Sequence, residues 1–201
     1  MVFHQKSTEQ GDQLNPKLRA LILVIVLLLS FSLLGAESFG SRTAASLKAR
    51  GVSPWLIVVL ISMLPIVELR GAIPVAIAVL GMSWQEAVPL AILGNMIPIP
   101  FLLLFLEWFL KLLSRYRWGK RFTDWLYART RSKGKVVERY AELGLIVFVG
   151  IPLPGTGGWT GSLAAKIFGL TFWKSLICVF LGVLLAALIV TLITLLGTSI
   201  F

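Results

Sequence analysis

The sequence predicts an all-α integral membrane protein built as an inverted repeat. Each repeat is a re-entrant helical hairpin followed by a transmembrane helix, and an extra transmembrane helix precedes the pair. Three observations predict this. Apolar residues make up 57% of the chain and charged residues 14%, with a mean hydropathy of +0.89. A soluble domain averages about 45–50% apolar and about 25% charged. Two apolar stretches are interrupted by Pro/Gly motifs at about half the length a bilayer requires. A short alignment then relates the two halves of the chain.

Residues 1–19 are polar and read as a cytoplasmic tail. "ALILVIVLLLSFSLLGA" (20–36) follows Lys17 and Arg19 and has the length of a first transmembrane helix. A signal peptide is the alternative, but its apolar region usually runs about 7–15 residues. The small, polar residues 37–53 read as an interfacial segment.

"WLIVVLISML" (55–64) ends at "PIVELRGAIP" (65–74), and "VAIAVLG" (75–81) follows. Ten helical residues span about 15 Å, against a hydrocarbon core of about 30 Å. Pro65 and Pro74 oppose a continuous helix. Residues 54–80 therefore read as a re-entrant hairpin with Glu68 and Arg70 at its tip, and a single proline-kinked helix is the alternative. Irregular backbone at that depth survives only when buried in protein or facing a water cavity.

A spanning helix is expected over 87–113, loosened by Gly94, Asn95, Pro98 and Pro100, with Glu107 near its cytoplasmic end. Residues 114–142 alternate basic and aromatic side chains, as in helices lying on an inner membrane surface. "LGLIVFVGIPLPGTGGWTGSLAAKIFGL" (143–170) repeats the broken design, and 172–197 is a second spanning helix.

A shift of 88 residues lays "GMSWQEAVPLAILG" (81–94) on "GLTFWKSLICVFLG" (169–182), with both glycine ends coincident. Broken segment, turn and full helix in duplicate are the mark of internal-repeat transporters. The net charge is +10, and ten of the 19 basic residues lie between Lys111 and Arg139. The positive-inside rule sends that loop to the cytoplasm. With two hairpins, 15 basic residues lie inside and three outside; with two full crossings the split is 13 to five. The hairpins then enter from opposite faces and their tips meet near the midplane.

Several functions are excluded. Cys178 and His4 stand alone in their residue types, so no internal disulfide or Cys/His metal cluster can be assembled, and the sequence offers no Ser/His/Asp set. No phosphate-binding P-loop is present, and the clustered basic charge suits anionic lipid rather than nucleic acid. An enzyme, a metal and a cofactor are not expected.

A charge at the bilayer centre costs about 2.5–3.5 kcal/mol on insertion scales, which makes Glu68 and Arg70 candidate functional residues. Arg70 has the geometry to bind a phosphate or carboxylate, and Glu68 to carry a coupling proton. A purely structural ion pair is the alternative. In "PGTGGWTG", Gly155, Gly157 and Gly158 allow close backbone approach, and N–H groups at a half-helix N-terminus favour an anion. Thr156 and Thr160 offer hydroxyls and Trp159 an apolar wall, while close helix packing explains the same small residues. Asn95 is expected to hydrogen-bond the first tip.

"PIVELRGAIP" and "GIPLPGTGGWTG", in this order around a basic loop, resemble the small multidrug export protein family, a distant relative of the DedA/VTT membrane proteins. The resemblance covers roughly residues 50–200. It implies a multi-pass protein of a bacterial or archaeal plasma membrane, with opposed hairpins and proton-coupled translocation of a lipid or lipid phosphate. The chain departs from DedA members in having Glu68 as the only acid of the first hairpin and no arginine at the second tip. The expected function is a transporter or flippase for an amphipathic anion. Drug efflux and a non-transporting scaffold are the alternatives. Expected partners are membrane lipids and the substrate, and a homo-oligomer is compatible with the sequence.

Overall fold

The computed structural model describes residues 35, 38–117, 119–121, 124, 135–153 and 155–200. The polar tail, the first transmembrane helix apart from Gly35, and much of the basic–aromatic segment lie outside the described residues.

The architecture is helical, with no strand among the described residues. A first helix, α1, runs over 38–49, where the interfacial segment was expected. Helices α2 (Pro54–Ser62) and α3 (Glu68–Pro74) follow, the latter continuing into a π-helical turn at Val75–Val79. Then come α4 (Trp84–Met96) and α5 (Pro98–Leu113). After the central segment come α6 (Lys135–Gly150), α7 (Gly158–Ile167) and α8 (Phe172–Ile200).

Both predicted breaks are present. The chain leaves helical geometry between Ser62 and Glu68 and again between Gly150 and Gly158. Pro65 removes a backbone donor at the first break. At the second, Gly155 and Gly157 have φ of 79° and 146°, values at which a Cβ is strained. Two stretches are long and apolar enough to cross a membrane, Trp84–Leu110 and Phe172–Thr198. They lie where the spanning helices were expected. The first contains the α4–α5 junction at Ile97, because Pro98 and Pro100 cannot donate to the carbonyls four residues before them.

In lipid the hydrophobic effect gives helices little reason to associate, so close packing through small residues carries the contact. Gly94 of α4 lies against α2: a Cβ there would fall 2.9 Å from Val59 Cα and 3.0 Å from Ser62 Cβ. The Ser62 hydroxyl donates to the Ala91 carbonyl at 2.5 Å. In the second half, Val149 of α6 packs against both Gly161 of α7 and Gly182 of α8. Gly40 of α1 packs against Val67 and Val75, and Ala44 is fully buried. The two halves join where α3 packs on α8 and α5 packs on α7. Lys166 is ion-paired with Glu107 across the second of these contacts. Glu107 thus has a partner, where the sequence suggested only an interfacial position. Lys174 pairs with Glu142 at 3.0 Å within the second half.

Gly94 and Gly144 make a matched test of the packing. Gly94→Val should destabilise the protein by about 1–3 kcal/mol, because Val59 backbone cannot yield. A Cβ at Gly144 meets nothing within 4 Å, so Gly144→Ala should be neutral or slightly stabilising. Thermal denaturation in one detergent compares them directly.

Candidate functional site

The two breaks touch, and their contact is polar. Glu68 opens α3 with φ of 49°, the one positive value for a non-glycine residue among the described residues. Backbone held in this region costs about 1–3 kcal/mol and persists only where the surroundings enforce it. The Glu68 carboxylate reaches the start of α7, where the Trp159 backbone N–H donates to its Oε1 at 3.3 Å, and it also faces the Gly158 N–H. An acid at a helix N-terminus is stabilised by unpaired N–H groups and the helix dipole, by up to about 2 kcal/mol when partly buried. The N–H groups that the sequence offered to a substrate anion therefore face this chain's own Glu68.

Gly157 is the residue that permits the approach. Its φ of 146° disfavours any Cβ, and a Cβ built there would collide with the Glu68 carboxylate. Gly158 is nearly as confined, with a Cβ falling 3.0 Å from Ile99 Cδ1 and 3.4 Å from Asn95 Oδ1.

Arg70 reaches across the same boundary. Its Nη1 donates to the Leu153 carbonyl at 2.6 Å and its Nη2 to Thr156 Oγ1 at 2.9 Å. The Thr156 hydroxyl in turn lies 2.7 Å from the Ile151 carbonyl and 2.9 Å from that of Leu153, either of which can accept its hydrogen. Among the described residues no ion pair joins Glu68 directly to Arg70. Each charge instead finds partners at the second break. The carboxylate meets donors at a helix N-terminus, and the guanidinium meets a carbonyl and a hydroxyl.

The site is dry and incompletely paired. Glu68 and Arg70 are each 5% exposed and Asn95 1%. These three, with Leu69, Gly157 and Gly158, line a gap too narrow for a water molecule. Arg70 Nε, both amide atoms of Asn95 and Trp159 Nε1 are buried without a hydrogen-bond partner. Leaving such a group unpaired costs about 1–3 kcal/mol. Arg70 Nε–H, the Asn95 amide N–H pair and the indole N–H are donors, and Asn95 Oδ1 is an acceptor. The unmet requirement is mainly for an acceptor.

Among the sequence candidates, Glu68, Arg70, Asn95, Thr156, Gly157, Gly158 and Trp159 converge at this contact. Gly155 and Thr160 do not: both are exposed, and the Thr160 hydroxyl donates to the Gly157 carbonyl at 3.4 Å. Asn95 differs from expectation, lying against Gly158 of the second break and having no hydrogen bond to the first. Sequence reasoning missed the Leu153 carbonyl, because a backbone acceptor carries no side-chain signature. It also missed an apolar groove of about 370 Å³ beside Trp159, lined by Met63, Ile97, Phe101, Leu102 and Phe105. No group of His, Cys, Asp or Glu able to hold a metal occurs among the described residues.

A model of the family described as "Putative small multi-drug export protein" matches residues 68–189. That span begins at Glu68 and includes both sides of the contact. The curated proteins contain no match, and neither do the solved structures.

The Gly157–Glu68 contact predicts a measurable coupling. Gly157→Ala should destabilise the protein by about 2–4 kcal/mol, from strained backbone and collision together. In a Glu68→Ala background the collision is absent and only the strain remains. A double-mutant cycle of melting free energies should therefore give a coupling of about 1 kcal/mol or more. Strict additivity would show that the two residues are not in contact.

Proposed function

The chain belongs to the small multi-drug export protein family, and on that premise we propose that it is a membrane transporter for an amphipathic anion such as a lipid phosphate. The observation that carries this reading is the set of buried, unpartnered donors where the two breaks meet: Arg70 and Asn95 line the narrow gap, and Trp159, whose backbone N–H is held by Glu68, carries a third. An acceptor-rich, negatively charged head group would satisfy them. A cationic head would meet Arg70 and leave the donors unpaired. Strained backbone at Glu68 and unpaired polar atoms are tolerated where function requires them.

In this reading the two broken segments are opposed re-entrant hairpins. Contact register supports the turn-back in both. Val149, before the second break, packs beside Gly161, after it. The 91–95 stretch of α4 meets Ser62 from before the first break and lies beside Glu68 from after it. The structure described is then a closed state, with the contact between breaks as the barrier. A substrate head that takes over the Arg70 donors would compete with Leu153 and Thr156 and so loosen the barrier. Glu68 is the candidate carrier of a coupling proton, released from α7 as the breaks part. The family description favours drug efflux as the second reading.

Proteoliposome transport separates these readings. An alkyl phosphate, a phospholipid and a cationic drug are offered to the wild type and to Glu68→Gln and Arg70→Ala, at equal protein level. The account expects alkyl phosphate movement that falls by about tenfold or more in both variants. Transport unchanged in both would remove the site. Movement of the cationic drug alone would replace the anionic substrate with the efflux reading.

A further inference from the structure

The groove beside Trp159 is unused by the account above. It measures about 370 Å³ and is lined almost wholly by apolar atoms of Met63, Ile97, Phe101, Leu102 and Phe105, with the indole as one wall. Ligand pockets run from about 300 to about 1,000 Å³, so this one suits a single chain or a small ring system rather than a two-chain lipid. Phe101, in its lining, is 71% exposed and belongs to a stretch long and apolar enough to cross a membrane. Its floor is the α4–α5 junction, where prolines interrupt the helix.

Trp159 belongs to both the groove and the polar site. Its backbone N–H is held by Glu68, while its ring walls the groove. Its indole nitrogen is buried and unpartnered, as are Asn95 and Arg70 Nε beyond it. An apolar chain gains little by leaving lipid for an equally apolar groove. Specific occupancy must therefore come from a polar group at the head of that chain, and Trp159, in the groove's own wall, carries an unmet donor. Resting on the transport reading for the head group, we propose that the groove is the binding site for the tail of a single-chain amphiphile. Its tail enters from the bilayer past Phe101, and its neck or head oxygen accepts from Trp159 and Asn95.

The test uses the full chain in lipid nanodiscs and two photoreactive probes with the same diazirine-bearing decyl tail. One ends in phosphate and the other in trimethylammonium, and labelled residues are read by mass spectrometry. The phosphate probe should label Ile97–Phe105 and Trp159, and unlabelled decyl phosphate should suppress that labelling. Leu102→Trp, which fills the groove, should reduce it by about tenfold. Trp159→Phe keeps the ring and deletes the orphan donor. A structural role alone predicts stability unchanged or raised and labelling unchanged, whereas the proposal predicts labelling reduced without loss of stability. Labelling spread over the lipid-facing helices, uncompeted and indifferent to both substitutions, would overturn the tail site. Equal, competed labelling of the groove by the trimethylammonium probe would leave the tail site standing and remove the anionic head group.

Discussion

The Glu68 carboxylate against the N-terminus of α7 is the contact on which the arrangement depends. An acid buried inside a membrane protein needs donors, and lipid supplies none. The start of a helix offers N–H groups that its own ladder does not use. Bringing the two together satisfies both, and it requires each chain segment to stop being a helix at the same place. The positive φ at Glu68, the glycine at position 157 and the reach of Arg70 to Leu153 and Thr156 all follow from that requirement. The contact joins residues far apart in sequence, so it also ties the first half of the fold to the second.

Much of this was legible in the sequence, for identifiable reasons. Prolines and glycines break helices by local chemistry, so Pro65, Gly155 and Gly157 marked both breaks. Apolar runs of sufficient length marked two stretches that are helical, long and apolar enough to cross a membrane. Charges in an apolar setting marked Glu68 and Arg70. What remained hidden was pairing. Nothing in the sequence says that Arg70 would choose a backbone carbonyl at Leu153, or that Asn95 would lie against Gly158 rather than the first break. The α7 N-terminus looked equally suited to an external anion, and only the packing of the two halves assigned it to Glu68. The groove at Phe101 and Phe105 was invisible because those residues, read singly, are ordinary lipid-facing aromatics.

The polar seam and the apolar groove together resemble an amphiphile in negative. Donors without partners lie on one side, an apolar groove lies on the other, and Trp159 belongs to both. A site so closed suits a protein that must admit its substrate by parting its own contacts. The interactions that hold it shut are the ones a negatively charged head would replace. In the proposed reading, transport would proceed by exchange of partners at Arg70 and Glu68, while small residues such as Gly94 and Gly182 let the helices pack closely.

Solid-state NMR in bilayers tests the central contact most directly. With a ¹³C label on the Glu68 carboxyl carbon and ¹⁵N on the Trp159 amide, dipolar recoupling reads their separation. The account predicts strong dephasing, matching a carboxylate oxygen 3.3 Å from that nitrogen, and its loss in Gly157→Ala. No dephasing in the wild-type protein would mean that the two breaks do not meet, and the site built on them would go with it.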